Sequence, residues 1–246
     1  MKRIPLLILV LFILTSCMSK FVNLALEKVG VFDEKCEMSL LKNDKKKVYF
    51  IEAHHIGREE YYLDISKKVD SLQKDGYIVF YESVKRNSDS LINDTLSRKL
   101  RKLTGIANFT YYDTITNKIG GKLKYKGEYK LINQPKYPKM KVDQNTSLNI
   151  DVDQLTLISE FEKKYGKVQL SECDYETKLN SEVYNCEKLN KELSEKFKTE
   201  FVINYRNKNL ANEVQNSKEN KILIIYGENH LNGFKEELRK INPNWN

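Results

Sequence analysis

The chain reads as an α/β fold: a central, mostly parallel sheet with flanking helices, in two divergent halves that each end a strand in a histidine motif, with a helical or irregular insert between them. Three observations predict it. Lys47 to Val84 runs strand, polar switch, amphipathic helix, strand. Strand, polar switch and helix return in that order in Lys221 to Leu238. All three histidines of the chain fall just beyond the ends of these apolar runs.

Taken in order, Lys47 to Ala53 is mostly apolar and rich in β-branched and aromatic residues, as a strand covered on both faces would be. After His54, His55 and Gly57 comes a helix with Glu59 and Glu60 in its first turn. Tyr61, Ile65, Val69 and Leu72 share one face, and Gly76 is placed as its C-cap. A second apolar run, Tyr77 to Tyr81, ends on Glu82. Strand, helix and strand make a βαβ unit, with parallel strands and a right-handed crossover. Ile222 to Tyr226 is a further strand, and Gly227 and His230 lead into a helix containing Phe234 and Leu238.

Ligands of such sheets sit beyond the carboxyl ends of the strands, where His55, Glu82 and His230 all fall. Two histidines and a glutamate on one sheet edge could hold a divalent ion. Alternation along a strand sends His54 and His55 to opposite sides, so only one is expected at the site, with His54 packed or hydrogen-bonded. Glu82 closes a hydrophobic strand and needs a cation, a metal or an arginine beside it.

These motifs resemble the TraB/GumN family, which includes the Tiki metalloproteases, and a wider group of erythromycin-esterase-like and ChaN-like haem-binding proteins. The second G-x-x-H motif is intact as Gly227-Glu228-Asn229-His230, Glu82 matches the family's strand-ending glutamate, and Arg206-Asn207 matches its Arg-Asn pair. The first motif departs, because Glu52 stands at its glycine position in Glu52-Ala53-His54-His55. The likeness spans roughly Val48 to Leu238. It implies a metal-dependent hydrolase of peptidase or esterase type, in which His55, His230 and Glu82 hold Mn, Co or Zn and the ion activates water. Glu228 or Glu52 would then be the general base and Arg206 would stabilise an oxyanion, with Asp151 and Asn207 as further candidates. The other implied class is a non-catalytic envelope lipoprotein that binds haem or another small ligand in the same cleft.

At the N-terminus, Lys2 and Arg3 precede an apolar run from Ile4 to Leu14 that is too short to span a bilayer, the pattern of a secretory signal. Leu14-Thr15-Ser16-Cys17 resembles a bacterial lipobox. That implies cleavage before Cys17 and several acyl chains on it, enough to hold the protein at a membrane. A plain cleaved signal or an anchor helix is the competing reading. The organisation expected is a signal over residues 1–16, a tether and lead-in over 17–46 with a brief helix near Phe21 to Val29, and one α/β domain over 47–246 with an insert at 106–150. The location expected is the bacterial cell envelope, lipid-anchored, facing the periplasm or in the outer membrane.

About 230 residues remain after processing, enough for one domain with a sizeable core. The formal net charge is +8, but lysine and glutamate alternate along Glu187 to Lys198 as on a solvated helix face. No Arg-rich groove with interleaved aromatics is present, which argues against a nucleic-acid partner and leaves an unspecific attraction to anionic lipid headgroups open; a peptide or small-molecule partner is what the resemblance implies. Cys173 and Cys186 could close a short loop in an oxidising envelope, leaving Cys36 odd, and a Cys/His zinc site lacks a close Cys-x-x-Cys pair.

The other elements are scaffold. A loop with Asn87, Ser88 and Asp89 precedes a helix over Ser90 to Leu103 that packs through Leu91, Leu96, Leu100 and Leu103 and stops at Gly105. Tyr111 to Lys130 suits either a hairpin about Gly120-Gly121 or a helix interrupted by glycines. Asn149 to Asp153 invites a metal loop, but Asp151 or Asp153 more simply caps a helix over Val152 to Tyr165, with Leu155, Ile158, Phe161 and Tyr165 inward. Lys167 to Leu170 suits a short strand or an extended loop. Glu187 to Asn216 reads as one long helix with Leu189, Leu193, Phe197 and Phe201 at four-residue spacing.

Overall fold

A computed structural model describes residues 21–246, apart from Asn87, residues 106–110, Lys122 and Glu182. The expected signal over 1–16, the lipidation site Cys17 and the loop position Asn87 lie outside the described residues. Helical residues 21–28 (α1) lead to β1 (Met38–Lys42), β2 (Lys47–Ala53), β3 (Ile56–Arg58), α2 (Glu59–Lys74), β4 (Ile78–Tyr81) and α3 (Ser90–Thr104). Five short strands follow, β5 (Tyr112–Asp113), β6 (Lys118–Ile119), β7 (Leu123–Lys124), β8 (Leu131–Asn133) and β9 (Leu148–Asn149). The chain continues through α4 (Gln154–Tyr165), α5 (Glu172–Glu176), α6 (Lys191–Lys196), a π-helical stretch Phe197–Tyr205, α7 (Arg206–Asn216), β10 (Lys221–Gly227) and α8 (Leu231–Ile241).

The fold is mixed α/β, with a five-stranded, mostly parallel sheet in the order β1-β2-β10-β4-β9 flanked by helices. Only β1 runs antiparallel. β10 lies between β2 and β4, so the two strands of the βαβ unit are not neighbours. The lead-in holds more than a tether, since β1 forms an edge strand of this sheet.

Period-two alternation divides the sheet's faces. Ile51, Val79, Leu223 and Ile225 pack under Tyr61, Tyr62, Ile65 and Val69 of α2. Val48, Phe50, Phe80, Ile222 and Ile224 pack on the other side against Leu210 and Val214 of α7 and Phe234 and Leu238 of α8. A third core, built on Leu103, Ile158, Phe161, Phe197 and Phe201, joins α3, α4 and the π-helical stretch beside the sheet.

Several local expectations change. Leu91 is 77% exposed and Leu155 42% exposed, so neither joins the packing face assigned to it. Asp89 caps α3 through Leu91 N, and Gly105, with φ +68°, ends it in the left-handed conformation. Asp153 caps α4 by accepting from Thr156 N at 2.7 Å, which leaves Asp151 for another role. The segment after Tyr111 is β-structured: β6 and β7 pair about Gly120-Gly121 with Ile119 opposite Leu123. Lys167 to Leu170 is not a strand. The long C-terminal helix starts only at Lys191 and is interrupted by the π-helical stretch. Cys173 and Cys186 form a disulfide with Cα atoms 5.8 Å apart.

Candidate active site at the carboxyl edge of the sheet

β2, β10 and β4 run parallel in register and deliver His55, Gly227 and Glu82 to the same edge. The group at the centre of that edge comes from a helix. Phe197 and Phe201 keep the α-helical spacing of four, but the π-helical turn adds a residue, so that Arg206 follows Phe201 by five and shares its buried side. α-helical spacing then resumes through Leu210 and Val214.

Arg206 is 4% exposed and its charge is compensated on two sides. Its Nε and Nη2 donate to the two carboxylate oxygens of Asp151 at 2.8 and 2.7 Å, a bidentate pair, and Nη2 also donates to Glu82 Oε1 at 2.8 Å. The second Glu82 oxygen accepts the backbone N–H of Gly227 at 2.6 Å. Tyr226 donates its hydroxyl to Asp151 Oδ1 at 2.7 Å. Burial opposes every charge here, but Arg206 and the Gly227 N–H outweigh it and hold the Glu82 carboxyl below the usual glutamate range. Burial likewise works against the guanidinium, and the two carboxylates override it and raise its pKa.

Of Arg206's five N–H groups, those on Nε and Nη2 are engaged at short range. Nη1 has only distant neighbours, Val202 O and His230 Nε2, both at 3.5 Å. Nη1 is therefore the end of the guanidinium that is held by its longest contacts.

His230 is 4% exposed, and its Nδ1 lies 2.7 Å from Asn207 Oδ1. An amide oxygen only accepts, so the proton sits on Nδ1 and the Nε2 lone pair faces the site. Burial, then the Arg206 charge, push the imidazole down to about 4, so it is neutral at physiological pH. α8 approaches Asn207 closely because residue 233 is glycine: a Cβ there would stand 2.1 Å from Asn207 Nδ2. His55 is open to water at the cleft wall, stacked on Tyr111 with centroids 4.1 Å apart. Surrounding protein lowers its pKa by desolvation, with Glu82 pulling the other way.

Two cavities open at this edge, of about 1200 Å³ and 460 Å³. His55, Glu82 and Tyr111 line both, whereas Arg206 and His230 line only the larger. The comparisons with known proteins add nothing to this geometry. No family model, curated protein or solved structure matches the chain.

The expected residues separate on this framework. Glu82, Asp151, Arg206, Asn207 and His230 form one connected network centred on Arg206, and Asp151, expected only as a helix cap or weak acidic candidate, is its bidentate partner. His54 also lines the larger cavity, because β2 ends at Ala53 and alternation no longer separates the two histidines. It packs on Tyr61 at 4.9 Å and lies 3.7 Å from Glu228, a cleft residue outside the network. Glu52 lines neither cavity. It continues the alternation of Val48 and Phe50 toward α8, where burial and the charge of Glu37 raise its pKa and Lys235 opposes them. Tyr111, Tyr226 and Gly233 were not anticipated. Tyr226, a polar tip in the aliphatic run before Gly227, was the one legible signal.

In this arrangement Glu82 holds Arg206 and a backbone N–H, and the guanidinium stands 3.5 Å from His230 Nε2, so an ion shared by Glu82 and His230 would have to displace Arg206.

Proposed function

We propose that this edge is the active site of a hydrolase acting at a peptide or ester carbonyl, in an exported, lipid-anchored protein related to TraB/GumN proteins. The observation that carries the reading is the guanidinium of Arg206, clamped by Asp151 and Glu82 with only long 3.5 Å contacts at Nη1, beside two imidazoles with lowered pKa values. A substrate carbonyl oxygen placed at Nη1 gains a charge-assisted hydrogen bond that strengthens as it becomes an oxyanion. The clamp holds the donor in place beforehand, so little reorganisation accompanies the reaction. His55, which lines both cavities together with Glu82 and whose pKa is lowered by burial, takes the proton of the attacking water and returns it to the leaving group. His230, held through Nδ1 by Asn207, sets Nε2 beside Nη1 and acts as a positioning residue for the guanidinium. The motif spacing described above supports the relationship to TraB/GumN proteins, and the lipobox-like Leu14 to Cys17 supports the anchor.

The test is a panel of fluorogenic peptides and chromogenic esters incubated with the soluble form that starts after Cys17. Turnover that falls by about 10²-fold or more in His55→Ala, with the fold intact by circular dichroism, supports the reading. No turnover on any panel member, or equal turnover in the variant, refutes it.

A further inference from the structure

α1 turns its largest apolar side chains away from the protein. Phe21 is 72% exposed and Leu24 62%, and exposed Ala25 and Lys28 share their face at helical spacing. The opposite face, Val22, Asn23 and Leu26, is partly buried, and Leu26 packs against a satellite core of Val31, Tyr112, Tyr125 and Leu131. The orientation of the helix is fixed at its end. Gly30, with φ +70°, closes a Schellman motif in which Val31 N–H donates to Leu26 O and Gly30 N–H to Glu27 O, both at 3.0 Å. Phe32 then packs on the rings of Tyr125 and Tyr129, with centroids 6.1 and 5.1 Å away, which joins the lead-in to the β5–β7 segment.

Single exposed apolar side chains are ordinary on a protein surface, and two facts set this pair apart. One is the length of chain before it. Cys17 lies four residues ahead of Phe21, a span of at most about 14 Å when fully extended. Acyl chains on Cys17 therefore bring a bilayer within that reach of α1. The other is charge. Residues 112–130, which include part of the core under α1, hold Lys118, Lys122, Lys124, Lys126 and Lys130 against two acids, Asp113 and Glu128. Lysines beside an apolar helix face make the composition of a segment that lies on an anionic bilayer surface.

We propose that the exposed face of α1 docks on a bilayer, with Phe21 and Leu24 entering the headgroup and acyl boundary and the lysines of residues 112–130 drawn to anionic headgroups. This contact would fix how the domain stands on the membrane, which a flexible lipid attachment by itself does not. It makes no use of the hydrolase reading. It rests on the proposed lipid anchor only for the nearness of a bilayer, since a form without Cys17 should still bind vesicles.

The experiment is flotation of the soluble form that starts after Cys17, with vesicles of phosphatidylcholine alone or mixed with phosphatidylglycerol. Binding to the mixed vesicles is expected, weaker on the neutral ones and weakened by salt. Phe21→Ser/Leu24→Ser, at exposed positions, should lower binding by about ten-fold or more without changing the urea midpoint. In Phe21→Trp the new indole should shift its emission to the blue when mixed vesicles are added, against a wild-type background from the buried Trp245. No flotation, equal flotation of the double serine variant, or equal binding to neutral and mixed vesicles would overturn the proposal. Self-association abolished by the double variant, with no vesicle binding, would assign the face to a second copy of the chain instead. None of these results depends on lipid at Cys17, which the soluble form lacks, so failure of the anchor is read separately by mass spectrometry of the envelope-extracted protein.

Discussion

Arg206 is a buried charge whose partners make it tolerable, and that sets the largest single-residue effects. In Asp151→Ala the guanidinium loses its bidentate partner, and an unfolding free energy lower by about 3–5 kcal/mol is expected from denaturant titration. Asn207→Ala leaves the His230 Nδ1–H without its acceptor, an expected loss of about 1–3 kcal/mol by the same measurement. His230 also gives a pH dependence whose sign follows from linkage. Its folded pKa of about 4 lies below the ordinary histidine value of about 6.5, so between these the unfolded chain binds the proton and the folded chain does not. Stability therefore falls as pH drops from about 6.5 to about 4, by on the order of 3 kcal/mol, and levels off below. Urea midpoints across that range should show the slope in the wild type and lose most of it in His230→Asn. A slope unchanged in the variant would contradict the assignment.

At the scale of elements, strands and caps were the legible part. β2, α2, β4 and β10 follow from apolar runs and from glycines at their ends, because burial on both faces leaves a continuous apolar signature. From the residue pattern alone the site was legible where a side chain stands at a strand's end, as with His55, Glu82 and His230, whereas Arg206, Asn207 and Asp151 entered as candidates through the family resemblance. Asp151 was ambiguous because a cap and an arginine partner are the same residue type before a helix, and tertiary contact decided between them. The face of Arg206 could not be read, because the π-helical turn shifts the periodicity that sequence spacing relies on. β1 and the pairings of β5, β6 and β7 were missed or left open because strands this short carry little pattern. The Cys173–Cys186 loop allows its own prediction. The disulfide closes a separation of 13 residues and by chain entropy contributes roughly 3 kcal/mol. Arg98 and Arg101 of α3 also hold the loop, through the carbonyls of Asp174, Thr177 and Lys178. Reduction should thus lower the melting temperature while residues 174–178 keep slow hydrogen exchange, and loss of that protection would show that the arginines do not suffice.

On the scale of the whole molecule, a parallel sheet gathers strand ends at one edge, and a helical layer beside it supplies the cation and closes a cleft with two cavities. Among the described residues no helix is long and apolar enough to cross a membrane; the proposed anchorage rests on the lipobox-like Leu14 to Cys17. Mass spectrometry of the envelope-extracted protein should find a chain that starts at Cys17 and carries acyl groups; an intact Met1 would contradict it. The central claim is that the cleft works through Arg206 and neutral imidazoles without a bound ion. It is tested most directly by measuring turnover of the best panel substrate before and after exhaustive chelation, with metal content followed in parallel. The account predicts the same rate in the metal-free protein and no gain on adding manganese, cobalt or zinc. A rate that vanishes on chelation and returns with one of these ions would contradict it, and would require Arg206 to leave Glu82 and His230 when the ion binds.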